Sequence, residues 1–162
     1  MNEKVVLSIY SRIVTVVITT VAVVATAYLA WRSQWVGTIV VGCTLLGLII
    51  PALFYSPVRV SADDDGITVH RLLRAKFIPY SSMQSVRMSP PTMGAIRACA
   101  SDGYFGYWGW FSEGDTGKYF AYYGKSSDCF LITLTDGRKY LIGCNNGAQM
   151  EAFVASHLVK RA

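Results

Sequence analysis

Between Arg12 and Arg32 the chain runs for 19 residues without a charge, from Ile13 to Trp31. At ~1.5 Å per residue a helix of that length rises about 28 Å, close to the hydrocarbon thickness of a bilayer. A second uncharged stretch runs from Ser33 to Val58, and its core, residues 36–54, is almost continuously apolar. Only Arg32, Ser33 and Gln34 separate the two, which forces an antiparallel helical hairpin with spans over about residues 13–31 and 36–55. Val and Ile dominate the first stretch, a composition that favours strands in water. In lipid the backbone must satisfy its own hydrogen bonds, so helix prevails over propensity. Trp31 and Trp35 flank the turn, while Tyr10, Tyr28 and Tyr55 are expected near the other ends, where amphipathic rings favour the headgroup level. Gly37, Gly42 and Gly47 in the second span offer small surfaces for close helix approach.

Only 15% of the chain is charged, against about a quarter in an ordinary soluble domain. The deficit is local. Residues 13–58 hold one charge, Arg32, whereas residues 59–162 carry 12 basic and 9 acidic side chains, an ordinary density. This balance excludes disorder, collagen-like repetition and a long coiled coil. A cleaved signal peptide is the rival reading of the first stretch, with Lys4 and Arg12 as its basic region and Ala25-Thr26-Ala27 as a small-x-small site. The apolar run continues past that site through Trp31, which favours a retained span. Lys4 and Arg12 before the hairpin, and Arg59, Arg71, Arg74 and Lys76 after it, place both termini in the cytoplasm by the positive-inside bias. The four cysteines form no C-x-x-C and lie far from His70 and His157, so the spacing of a zinc site is absent and free thiols are expected.

Residues 58–162 have the pattern of a small β-domain, with Pro57 leaving no room for a flexible linker. Val58 to Ser61 alternates, Asp63-Asp64-Asp65-Gly66 turns, and Ile67 to Leu72 alternates again, a hairpin signature. Further strands are predicted over residues 76–80, 84–88, 119–123, 129–135 and 139–142, with Asp136-Gly137 as a tight turn between the last two. A closing helix follows: Asn146 and Gln149 make a capping-box-like pair, Met150, Phe153, Val154 and Leu158 share a face, and Lys160-Arg161 suit the negative end of the dipole. About seven strands and one helix describe a bent sheet or half-barrel plugged at one end.

Two stretches carry a family resemblance. Ile78-Pro79-Tyr80-Ser81-Ser82-Met83-Gln84-Ser85-Val86 forms an apolar-x-x-apolar-x-x-Val passage between strands. Gly109-Trp110-Phe111, Gly117, Tyr119, residues 130–142 and Glu151-Ala152-Phe153 supply a glycine-aromatic loop, a penultimate hairpin and a closing helix. Over residues 58–159 the chain resembles the small bacterial membrane proteins that carry a pleckstrin-homology (PH)-like domain behind a two-helix anchor. The resemblance implies a membrane-anchored α+β protein: a transmembrane hairpin (residues 1–57) and a cytoplasmic PH-like half-barrel (residues 58–162). It also implies an interaction or assembly role at the bacterial inner membrane, without catalysis or cofactor. PH domains that bind phosphoinositides hold them with basic residues in the first hairpin loop; here that loop is Asp63-Asp64-Asp65, which repels phosphate.

Residues 104–123 hold ten of the 21 aromatic residues, interleaved with glycines. They form either a loop facing membrane or partner, or a strand-and-turn region whose rings complete the core or an oligomer contact. Tyr104, Phe105, Trp108, Trp110 and Phe111 are the candidate contacts there. Arg71, Arg74 and Lys76 form a basic cluster suited to anionic headgroups, each charge contributing ~1 kcal/mol near such a surface. A topology determinant or plain solvated charge is the simpler reading of that cluster. Asp102, Glu113 and Asp115 beside aromatics have no spacing that opposes two carboxylates, and the three hairpin aspartates do not complete a calcium loop. No phosphate loop, dinucleotide fingerprint or nucleophile elbow occurs, and no basic repeat accompanies stacking platforms, so no small-molecule substrate or nucleic acid is implied. The expected partners are the bilayer and a protein, either another component or a second copy. Direct lipid engagement through the aromatic segment and the basic cluster is the alternative.

Overall fold

The computed structural model describes residues 1–92 and 94–159. Two apolar helices, α1 (Ile9–Trp31) and α2 (Trp35–Tyr55), run antiparallel and are joined by residues 32–34. Ser8 caps α1 by accepting the Ser11 N–H, so the helix starts at Ile9 rather than at residue 13. Tyr28 stands on the turn side of the hairpin, three residues before Trp31, while Tyr10 and Tyr55 mark the domain side. The glycines of α2 do not line one seam. A methyl group at Gly37 would meet Leu29 at 3.4 Å, but Gly42 and Gly47 face nothing within 4 Å. A spacing of five turns each glycine about 140° from the last, so three of them cannot share a face. Away from their mutual contact both helices are bare: Val16, Val21 and Val24 on α1, and Ile39 and Val40 on α2, are all more than half exposed.

Ten strands among the described residues form two sheets. The first is antiparallel throughout and runs β1 (Asn2–Lys4), β2 (Pro57–Ala62), β3 (Gly66–Arg71) and β4 (Ala75–Pro79). The second contains β5 (Met83–Met88), β6 (Ile96–Gly103), β7 (Gly106–Glu113), β8 (Gly117–Tyr123), β9 (Cys129–Leu134) and β10 (Lys139–Gly143). Its spatial order is β5-β9-β10-β8-β7-β6, with β10 antiparallel to β9 and parallel to β8. The seven expected strands are β2 to β5 and β8 to β10. The other three, β1, β6 and β7, go beyond that expectation, and the aromatic segment lies on β7, on β8 and on the turn before β7, as strand and turn.

The expected hairpin closes as its turn residues require. Asp63 N–H donates to the Gly66 carbonyl at 3.0 Å, and Tyr80 steadies the turn through its hydroxyl to Asp63 O and its N–H to Asp65 O. Between β9 and β10, Gly137 takes φ +84°, which suits glycine. Arg138 grips the Asp136 carboxylate there and holds its pKa below the usual range. Period-two alternation then builds the core. Val60, Ala62, Ile67, Val69 and Ile78 face inward from the first sheet and meet Phe130, Ile132 and Ile142 of the second. Each such side chain, fully buried, contributes ~1.5–3 kcal/mol. The second sheet is apolar on both faces, since Leu131, Leu141, Phe111 and Tyr119 form a cluster on its far side. α3 (Gly147–Val159) seals the open end with Met150 and Val154. Asn146 O accepts the Met150 N–H, as a helix start requires, but the Asn146 side chain donates to Glu3 instead of capping. Lys160 and Arg161, expected at the helix end, lie outside the described residues.

Candidate functional site

The candidate surface lies at the junction where helices and sheets meet, and the N-terminal residues build part of that junction. Met1 and Ala62 exchange backbone hydrogen bonds, Val5 N–H donates to Val58 O, and Ser8 N–H donates to Gly124 O. Asn145 N–H donates to Lys4 O from the other side. Residues 1–8 thus stitch the edge of the first sheet to the end of β8 and the start of α3 before the chain enters α1. The sequence reading leaves them without structure: three residues are too few to show an alternation.

The β6–β7 turn docks on the helices. Its tip, Tyr104 and Phe105, lies between Gly103 and Gly106, both at positive φ, and Phe105 itself takes φ +55°. That conformation strains a non-glycine residue by roughly 1–2 kcal/mol. Both helices hold it. Ser11 Oγ donates to Gly103 O at 2.5 Å and accepts Gly106 N–H at 2.9 Å. Thr15 Oγ1 accepts Phe105 N–H at 2.9 Å, Ser56 Oγ donates to Phe105 O at 2.7 Å, and Thr19 Oγ1 lies 3.2 Å from the Tyr104 hydroxyl. Ser11, Thr15 and Thr19 recur every four residues, one face of α1. That stripe, set in an otherwise apolar helix, is the sequence signal that points to the dock.

The aromatic segment is therefore a hairpin with three destinations. Tyr104 and Phe105 sit on the helices. Trp108 stacks on Tyr55 at the end of α2, with ring centroids 5.8 Å apart, and Tyr55 also approaches Phe120 at 5.9 Å. Phe111 turns to the far face of the sheet, stacked 6.0 Å from Tyr119 and buried. Trp110 edges onto Phe120 and stays 38% exposed. The simpler of the two readings, rings completing core and packing, describes all of these except Trp110.

The basic cluster meets the same aromatics. The Arg71 guanidinium lies 5.7 Å from the ring centres of both Tyr55 and Tyr122, Arg74 lies 5.4 Å from Phe54, and Lys76 lies 5.6 Å from Tyr140. Burial pushes the Tyr122 phenol up to about 12 even though Arg71 pulls the other way, so the ring stays neutral beside the cation. The structure thus joins Arg71 to Trp108 through Tyr55, reaches Trp110 through Phe120, and leaves Phe111 on the other face.

Two of the carboxylates beside the aromatics have partners of their own: Asp102 pairs with Arg97, and Glu113 accepts from Thr92. All four cysteines are free. Burial raises the pKa of Cys129 and Cys144, the latter to about 12, so those two are protonated and unreactive near neutrality.

The sequence model of the bacterial PH domain matches residues 58–158. No curated protein and no solved structure matches the chain. PH-like domains are generally non-catalytic modules. With most of its length matched and with its two sheets closed by a C-terminal helix, the chain belongs to the bacterial PH domain family.

Proposed function

We propose that the chain is a non-enzymatic two-pass protein of the bacterial inner membrane. Both termini lie in the cytoplasm, and the PH domain serves as a protein-interaction or self-assembly module held rigidly at the membrane surface. Helices of 23 and 21 residues with bare apolar flanks support the membrane reading, since they rise about 34 and 31 Å. Residues 1–8 and the β-domain share one end of the hairpin, and Lys4, Arg12, Arg59, Arg71 and Arg74 gather there, as the positive-inside bias expects.

The interaction role rests on the edge of the second sheet. β6 is eight residues long and, among the described residues, pairs only with β7, which leaves a row of N–H and C=O groups on its outer side. Ile96 is 72% exposed at its start, and Cys99 is exposed beside Trp110. Such an edge accepts a strand from another chain. Cross-linking in native membranes tests it, with Cys43→Ala leaving Cys99 as the accessible thiol. A bismaleimide then yields a Cys99-dependent adduct with a second copy or a partner, and Ala98→Pro abolishes it. Complete labelling of Cys99 by a soluble maleimide, with no adduct, overturns the edge as the interface. Lipid engagement is a second reading, favoured by Arg71 and Arg74 having aromatic rings beside them but, among the described residues, no ion-pair partner.

A further inference from the structure

We propose that Arg71 and Arg74 form a site for the phosphate of an anionic phospholipid, at the seam between α2 and the β3–β4 turn. This rests on the reading of α1 and α2 as a membrane hairpin. The turn itself is Leu72-Leu73, exposed by 50% and 58%, and Leu73 N–H donates to the Leu53 carbonyl of α2 at 3.2 Å. One of two bare leucines is therefore bonded to the last turns of an apolar helix, and the pair sits at its level. Arg71 and Arg74 flank them. A cation at this place also suits the negative end of the α2 dipole.

The two guanidinium groups are held but not neutralised. Aromatic rings position both, and among the described residues neither has an ion-pair partner. Among the described residues, Arg71 Nε is buried with no acceptor, and Arg71 Nη2 reaches only the Ala75 carbonyl, at 3.4 Å. A guanidinium has five donors in a fixed fork that matches phosphate oxygens, so most of this capacity is unspent. The arginines open onto a groove of about 310 Å³ whose other walls are Ile50, Pro51, Phe54 and Tyr55. Those walls continue the apolar flank of α2. A molecule with its phosphate on the arginines lays its remainder along that flank, which selects an amphiphile over a soluble anion. The acidic turn at Asp63 to Asp65 has no part in the site, so this is not the first-hairpin loop that phosphoinositides would use.

The test uses the full chain in nanodiscs of phosphatidylcholine doped with phosphatidylglycerol. Lipid retained after exchange into mild detergent is counted by native mass spectrometry. The wild type retains phosphatidylglycerol in preference to phosphatidylcholine. Arg74→Gln lowers that retention about tenfold, the loss of one charge-assisted contact, and the Arg71→Gln, Arg74→Gln pair abolishes it. Arg71→Lys, which keeps the charge and loses the fork, falls between, and Arg138→Gln leaves retention unchanged. Near-ultraviolet circular dichroism of the stacked tyrosines checks each fold. Arg74 is exposed, so Arg74→Gln alone decides the outcome should the double variant unfold. Equal retention by wild type and Arg74→Gln overturns the site. Displacement of the lipid by millimolar inorganic phosphate overturns the assignment to a phospholipid in favour of a free anion. Extraction of the chain from membranes by alkaline carbonate sinks the hairpin reading itself, whereas a chain that stays with unchanged lipid sinks the site alone.

Discussion

One hydroxyl does much of the joining between helix and sheet. Ser11 is fully buried at the start of an apolar helix, where a polar side chain needs a partner on every side. Its Oγ closes both ends of the β6–β7 turn, to Gly103 O and from Gly106 N–H. The strained Phe105 between them is held by Thr15 and Ser56 in the same way. Ser11→Ala leaves the Gly106 N–H without that acceptor while the ring packing around the turn survives. The expected cost is about 1–3 kcal/mol, the penalty of an unpaired buried group. Hydrogen exchange on the detergent-solubilised chain reads it directly, as lost protection at amides 105 and 106. Unchanged exchange there means that the turn holds its shape without the helix.

At the scale of elements, legibility follows periodicity. β2 and β3 are visible in the sequence because Val60, Ala62, Ile67 and Val69 alternate cleanly around an acidic turn, and β9 and β10 because Asp136-Gly137 separates two apolar runs. β6 and β7 are not. β7 carries Gly109 at φ +117° in mid-strand, where a methyl group would strike the Cys99 carbonyl, and β6 slips register between Arg97 and Cys99. Glycine reads as turn in a sequence, so a strand that needs glycine for close backbone approach reads as a loop. β1 is invisible for a different reason: its order comes from β2 and Asn145 rather than from its own residues. The dependence is mutual and measurable. Val5→Pro removes the N–H that binds the Val58 carbonyl, and destabilises the domain by about 1–3 kcal/mol in a denaturant titration of the full chain. A midpoint unmoved by Val5→Pro shows the N-terminal strand to be dispensable. For the same reason a fragment of residues 58–162 lacks one strand of its first sheet, so liposome binding is properly measured on the whole chain.

The whole molecule is one stitched unit, because the segment before α1 and the chain after α2 pair with each other. An apolar hairpin crossing a bilayer in that arrangement has a single consistent topology, with turn and domain on opposite sides. Two native thiols report it. Cys43 is exposed on α2 eight residues from the turn end, about 12 Å along the helix axis, and Cys99 is exposed on β6. A membrane-impermeant maleimide should label Cys99 in inverted inner-membrane vesicles and spare it in intact spheroplasts. Cys43 should resist the same reagent in both and react once detergent replaces the bilayer. Cys129 and Cys144 add no background, since burial keeps them protonated and out of reach. Labelling of Cys99 in spheroplasts places the domain outside and reverses the topology. Labelling of Cys43 in sealed vesicles removes the hairpin from the bilayer, and with it the basis for reading Arg71 and Arg74 as a lipid site.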